Sequence, residues 1–218
     1  MHFRELAICV GGALCFASAL HAQTSPTLED AVLERINFAR TNPKGYAEML
    51  RVYRGYFDGE IVYMPGDYNG LLTREGVAAV DETIAFLEKQ APLSALSRAD
   101  VLALTAVDFS REQGALGARG HRGQDGSDPG GRVKRHGGDI FVGEAIAYGF
   151  DNAEEVVRQM IVDDGVPDRG HRKLLFDPKL RFAGIGCGPH SKMEHICVVD
   201  LSATPDGRPV RVRYARSP

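Results

Sequence analysis

Residues 163–172 read Asp-Asp-Gly-Val-Pro-Asp-Arg-Gly-His-Arg. Two adjacent carboxylates run into a Gly-Val-Pro turn, and an imidazole follows at His171 between a glycine and an arginine. Two other places carry matching chemistry. His121 lies in Gly117-Ala118-Arg119-Gly120-His121-Arg122-Gly123, and Glu144 lies in Val142-Gly143-Glu144-Ala145-Ile146-Ala147. A carboxylate buried in such an apolar run is costly unless it is paired, although a strand's alternating faces also allow Glu144 to point to water. Neutral imidazole and carboxylate are ligands for a divalent ion, zinc foremost. Without a metal, the same groups form hydrogen-bonded pairs that favour charged imidazole.

Side chains so distant in sequence need elements to bring them together. Thr27-Leu28-Glu29-Asp30 has capping-box spacing, with Val32, Leu33, Ile36 and Ala39 recurring behind it at helical intervals. Asn42-Pro43 marks one helix stop and a new start. A third helix is expected from Thr73 to Lys89, and a fourth after the Ser97-Arg98-Ala99-Asp100 capping box, stopping near Gly114. A further helix follows the Asn152 cap. Residues 54–72 read as a long ordered loop or a small hairpin, and residues 117–138 as a glycine-rich loop. Strands are expected at Ile140–Tyr148, Leu180–Gly188 and His195–Ala203, and Pro209–Tyr214 reads as a short extra strand or a tail. Helices dominate the first half and strands the second, which fits an α+β fold with helices covering an antiparallel sheet.

Composition narrows the class. The chain has 218 residues and a net charge of −3, with acids and bases mixed and no basic block to hold nucleic acid. Residues 1–22 have the layout of a secretory signal peptide, an apolar run behind Arg4 followed by Ala17, Ala19 and Ala22, with cleavage after Ala19 or Ala22. No later segment is apolar enough to span a membrane. Residues 23–218 then form a single domain that is secreted, extracellular or periplasmic. Of the four cysteines, Cys187 and Cys197 stay with the mature chain. A hairpin centred on Lys192 sets them face to face, predicting a cross-strand disulfide in an oxidising compartment, with two free buried thiols as the alternative.

Taken together, the motifs resemble the CAP superfamily: cysteine-rich secretory proteins, antigen 5 and pathogenesis-related proteins, with their bacterial secreted relatives. Asn37-Phe38-Ala39-Arg40 is similar to the family's first-helix N-x-x-R. Gly120-His121 with Asp125-Gly126, Gly143-Glu144, and Gly170-His171-Arg172 resemble its G-H-x-x-x-D-G, G-E-N and G-H-R segments. Cys187-Gly188-Pro189-His190 with Cys197-Val198-Val199-Asp200 resembles the closing hairpin of one bacterial branch. Two departures stand out: Ala145 replaces the usual Asn after Gly-Glu, and the chain has no Trp.

The resemblance implies an α-β-α sandwich with a central antiparallel sheet flanked by helices, and a cavity holding His121, Glu144, His171 and one acid before the Gly-Val-Pro turn. Asp163 is preferred to Asp164 by its spacing from Met160. This set is the expected metal site, its carboxylates either ligating directly or orienting the imidazoles. Relatives are associated with lipid or sterol binding, protein binding and sometimes proteolysis, so the implied role is an extracellular ligand- or partner-binding module. The alternative is a metal-dependent hydrolase of peptidase or esterase type using the same cavity. The sequence has neither a Gly-x-Ser-x-Gly elbow nor a His-Glu-x-x-His motif, which points away from a conventional enzyme. Arg119, Arg122, Arg169 and Arg172 form either a positive rim or pairs with local acids such as Asp163, Asp164 and Asp168. His136, His190 and His195 are expected at the surface.

Overall fold

The computed structural model describes residues 26–210. Residues 1–22, read from sequence as a signal peptide, and most of the Pro209–Tyr214 stretch lie outside the described residues. Helix α1 (Leu28–Thr41) opens on Thr27, whose hydroxyl accepts the Asp30 N–H at 3.2 Å. Helix α2 (Pro43–Arg54) follows directly, with the Asn42 amide oxygen accepting from Gly45 and Pro43 in the first turn, where a missing N–H does no harm. The 54–72 stretch is built on hairpins: β1 (Phe57–Asp58), β2 (Ile61–Val62) and β3 (Leu71–Leu72) form a small antiparallel sheet.

Helix α3 spans Val77–Lys89 and starts later than its apolar pattern predicts. The N–H groups of Arg74 and Glu75 are taken by the Asp164 carboxylate, and Thr73 Oγ accepts from Gly76, so this segment is a turn. Ser97–Arg98 is not a capping box. It forms β4, which pairs in parallel with Phe182 and Ala183, so helix α4 (Asp100–Leu116) begins without a side-chain cap. The glycine-rich stretch contains a short helix, α5 (Pro129–Arg135), capped by Asp128.

Strand β5 (Gly143–Tyr148) is shorter than expected because the Phe141 N–H is drawn to the Gly207 carbonyl instead of a neighbouring strand. Helix α6 (Ala153–Val162) is capped by Asn152, and helix α7 (Gly170–Leu175) occupies the end of the 163–172 stretch, where no helix was expected. Strands β6 (Phe182–His190) and β7 (Glu194–Ser202) form the closing hairpin. Its register pairs Cys187 with Cys197, and the two form a disulfide with Cα atoms 4.1 Å apart.

The main sheet has the order β4-β6-β7-β5, antiparallel except for the β4 edge. Strand alternation divides its side chains between two helical layers. Ala145, Ala147, Ile185, Val199 and Leu201 face the large core with Val32 and Ile36 of α1, Leu50 of α2 and Met160 and Ile161 of α6. Ile146, Ile196 and Val198 face Ala106 and Phe109 of α4. This is an α-β-α sandwich, with Met160 and Ala145 filling fully buried positions in the large core.

Two glycines let α4 lie directly on the sheet. A Cβ on Gly184 would stand 2.0 Å from the Ala103 nitrogen, and one on Gly186 2.2 Å from that of Val107. The Asn37–Arg40 pair ties the layers together. The Asn37 amide both donates to and accepts from Leu96, at 2.9 and 2.7 Å, and the buried Arg40 guanidinium donates to the carbonyls of Ser94 and Leu180.

Candidate functional site

Glu144 is the second residue of β5. Alternation turns it to the α4 face, where its carboxylate is buried, so it does not point to water. One oxygen meets His121 Nδ1 at 2.9 Å, and the other accepts from the buried Arg132 guanidinium of α5. Arg132 also donates to the carbonyls of His121 (3.0 Å) and Ser127 (3.2 Å), and its guanidinium lies 3.4 Å from the centre of the Phe109 ring. A fork of donors of this kind suits arginine and not lysine.

His121 sits on the loop leaving α4, which turns at Gly117 with φ 61°. The loop is pinned from several sides. Gly120 N–H donates to the Tyr148 hydroxyl, Gln113 donates to the Arg122 carbonyl, and His190 Nε2 bonds the Ala118 carbonyl at 2.8 Å. His190 is therefore a buried brace and not a surface residue, its Nδ1 accepting from Lys192 and Met193 N–H groups. His195 and His136 lie away from the site, beside Asp151 and Asp108 respectively.

Asp163 caps the end of α6 in the left-handed region, with φ 57°, and Arg169 enters α7 at φ 52°. Such conformations are unfavourable for residues other than glycine, with asparagine and aspartate the more tolerant, and they cluster at functional sites. Asp163 Oδ1 meets His171 Nδ1 at 2.7 Å, while Oδ2 accepts the His171 backbone N–H at 2.9 Å. Asp164 turns the other way, to Arg74 and Glu75, so the structure brings Asp163 to the histidine.

The bend between the two aspartates and α7 is fixed by arginines, but their acids come from elsewhere in the chain. Arg169 makes a two-pronged pair with Glu75 and reaches Glu82, and Arg172 binds Glu82 and Thr83. The Arg169 guanidinium and the Gly165 N–H hold the Glu75 carboxyl down to about 2.

The two imidazole–carboxylate pairs converge. The rings of His121 and His171 lie 6.4 Å apart, centre to centre. Their side chains are 50% and 25% exposed, whereas both carboxylates are 1% exposed. The acids are thus the buried roots of the site and the rings its accessible tips. Each carboxylate engages Nδ1, and no hydrogen bond reaches either Nε2 among the described residues. Nor do three or more His, Cys, Asp or Glu side chains converge as a ready metal cluster among the described residues. In a neutral ring whose Nδ1–H donates to its acid, the Nε2 lone pair is left free, and two such nitrogens are donors of the kind a divalent ion takes.

Two residues of the site were not singled out as such from sequence: Arg132, hidden in a glycine-rich stretch, and Asp200. Asp200 is in register with Glu144 on β7 and is fully buried. Its signal was an acid ending the apolar run Ile196-Cys197-Val198-Val199. Beside the site, a groove of about 630 Å³ runs between the small sheet and α6. Tyr53, Leu72, Phe150, Arg74, Arg119 and Asp164 are among its lining.

A three-layer sandwich with paired His–acid units at one edge of its sheet is the architecture expected of a CAP domain. The family profile described as "CAP: Cysteine-rich secretory protein family" matches residues 33–201, and the chain belongs to this family. Among solved structures, an outer surface protein from Borrelia burgdorferi is 20% identical with a TM-score of 0.42, covering 50% of this chain and 77% of its own. An extracellular protein containing a SCP domain from Bacillus anthracis is 17% identical with a TM-score of 0.41, covering 57% of this chain and 37% of its own. A comparison with curated proteins finds no match. No helix among the described residues is long and apolar enough to cross a membrane.

Proposed function

We propose that the domain acts outside the cytoplasm as a ligand-binding module whose two imidazoles hold a divalent ion, zinc foremost. The observation that carries this reading is the common way in which the neighbouring rings of His121 and His171 are held. Each ring is held at Nδ1 by its own buried carboxylate, and both Nε2 atoms are without a hydrogen bond among the described residues, on side chains that reach the surface. In this reading the ligating atoms are the two Nε2 atoms, and Glu144 and Asp163 set tautomer and ring orientation from behind. A bound ion would offer open positions to an anionic or carbonyl group of a ligand. The neighbouring groove supplies an apolar wall for the rest of that ligand, since Asp164 and Arg119 reach it from the same loops that carry Asp163 and His121.

Calorimetric titration of the purified protein with zinc tests the reading. One site per chain is expected, lost in both His121→Ala and His171→Ala. Equal uptake by the wild type and both variants would refute it. Hydrolysis is the second reading. Among the described residues no serine or cysteine hydrogen-bonds either imidazole, and both mature cysteines are in the disulfide. Turnover of peptide or ester substrates that a chelator abolishes and Glu144→Gln removes would move hydrolysis to first place.

A further inference from the structure

Behind Glu144 stands an acid whose surroundings do not suit a carboxylate. Asp200 is fully buried, and both its side-chain oxygens lack a hydrogen-bond donor among the described residues. The antiparallel register puts it directly opposite Glu144 on one side and Gly184 on the other. Cross-strand partners share a face of the sheet, so both acids point toward α4, where Leu102 and Ala103 close over Gly184. Glu144 is the charged side chain directly across the ladder from Asp200, on the same face of the sheet. Arg132, the cation paired with Glu144, directs its terminal nitrogens to Glu144 and to the His121 and Ser127 carbonyls. Its Nε has no partner, and no hydrogen bond joins it to Asp200.

Two ionised carboxylates side by side on this face would be a pair of acceptors with no proton between them, buried and mutually repelling. Such a pair resolves the conflict by keeping one proton. We infer that Asp200 is a third carboxyl of this site, a neutral acid whose O–H donates to Glu144, so that the two acids together carry a single negative charge. That proton satisfies the orphaned oxygen and gives Glu144 a third donor beside His121 and Arg132. Burial and the Glu144 charge both act on the Asp200 carboxyl in the same direction, raising it well above the ordinary range. Asp200 touches neither ring. It is a positioning residue that fixes the carboxylate which in turn orients His121.

Infrared spectroscopy of the full chain at neutral pH, with chelator present, tests this independently of metal binding. The wild type is expected to show the C=O stretch of a protonated carboxylic acid. Asp200→Asn, whose amide still donates to Glu144, should fold and lose the band, while Asp163→Asn should keep it. Glu144→Gln should keep the band but shift it, because the still-buried Asp200 O–H then donates to a neutral amide oxygen instead of a carboxylate. Absence of the band from the wild type, or its survival in Asp200→Asn, overturns the assignment of the proton to Asp200. An unshifted band in Glu144→Gln overturns the hydrogen bond to Glu144. Should Asp200→Asn fail to fold, the wild-type and Glu144→Gln spectra still decide.

Discussion

Asp163 grips His171 twice, with one carboxylate oxygen 2.7 Å from Nδ1 and the other 2.9 Å from the backbone N–H of the same residue. The grip fixes both where the imidazole sits and which way it faces, and it does so from a left-handed position that closes α6. Asp163→Ala leaves the His171 N–H unpaired and places a Cβ residue at φ 57° with no compensating side-chain bond. The loss is about 2–4 kcal/mol in equilibrium urea unfolding, combining a lost charge-assisted bond with backbone strain. Asp163→Asn tolerates the left-handed region and keeps an acceptor, so it should lose about half as much.

Arg132 and Glu144 form a buried ion pair at 4% and 1% side-chain exposure. Removing one partner strands the other. Arg132→Leu should therefore destabilise by about 3–5 kcal/mol. Arg132→Lys should recover only part of this, since one ammonium cannot reach Glu144 and two carbonyls in the guanidinium's planar geometry. Thermal unfolding of the three proteins checks the order wild type, Lys, Leu.

The closeness of α4 to the sheet makes Gly184 intolerant of any side chain. Its added Cβ would meet backbone atoms of Leu102 and Ala103, not a flexible side-chain tip. Gly184→Ala should cost about 3 kcal/mol or more, at or above the usual range for overpacking, and should lower the unfolding midpoint accordingly. The half-buried Gly188 has nothing within 4 Å of its added Cβ, so Gly188→Ala serves as the neutral control.

Two acids give stability opposite slopes with pH. Asp200 is pushed above its ordinary 3.8, first by burial and then by Glu144, so the native state holds its proton more tightly than the unfolded chain does. Its contribution is full below that ordinary value and is lost as pH rises through the folded value. Glu75 is pulled from 4.5 to about 2 by Arg169 and Gly165, so its contribution is present above 4.5 and lost as pH falls toward about 2. Asp200→Asn should flatten the alkaline limb of the stability–pH curve, and Glu75→Gln the acid limb. Denaturation midpoints across pH measure both, and curves parallel to the wild type would contradict the assignments.

The legibility of this chain depended on how local each signal was. Thr27, Asn42 and Asn152 cap helices through bonds to residues three positions on, and all three were readable. Ser97 carried the same kind of signal and misled, because pairing with Phe182 outweighed it. The His–acid set was legible through its resemblance to the family and its glycine-flanked histidines. The arginine partners were not. Arg169 and Arg172 bind Glu75 and Glu82, some ninety positions away, and nothing in the local sequence favours these over Asp163, Asp164 or Asp168. Asp200 required strand register as well as sequence. The cysteine pair fixes only the β6–β7 register, with Asp200 against Gly184, whereas the β5–β7 register that brings Glu144 beside Asp200 has no such marker in the sequence.

The central claim is that the two rings act as one pair, held from behind by their acids and open in front. A crystal structure of the zinc-loaded protein tests it most directly. Zinc is expected on Nε2 of both His121 and His171, with Glu144 and Asp163 still on the Nδ1 atoms. Zinc held elsewhere on the chain, or ligated by the two carboxylates after they leave the rings, would contradict it.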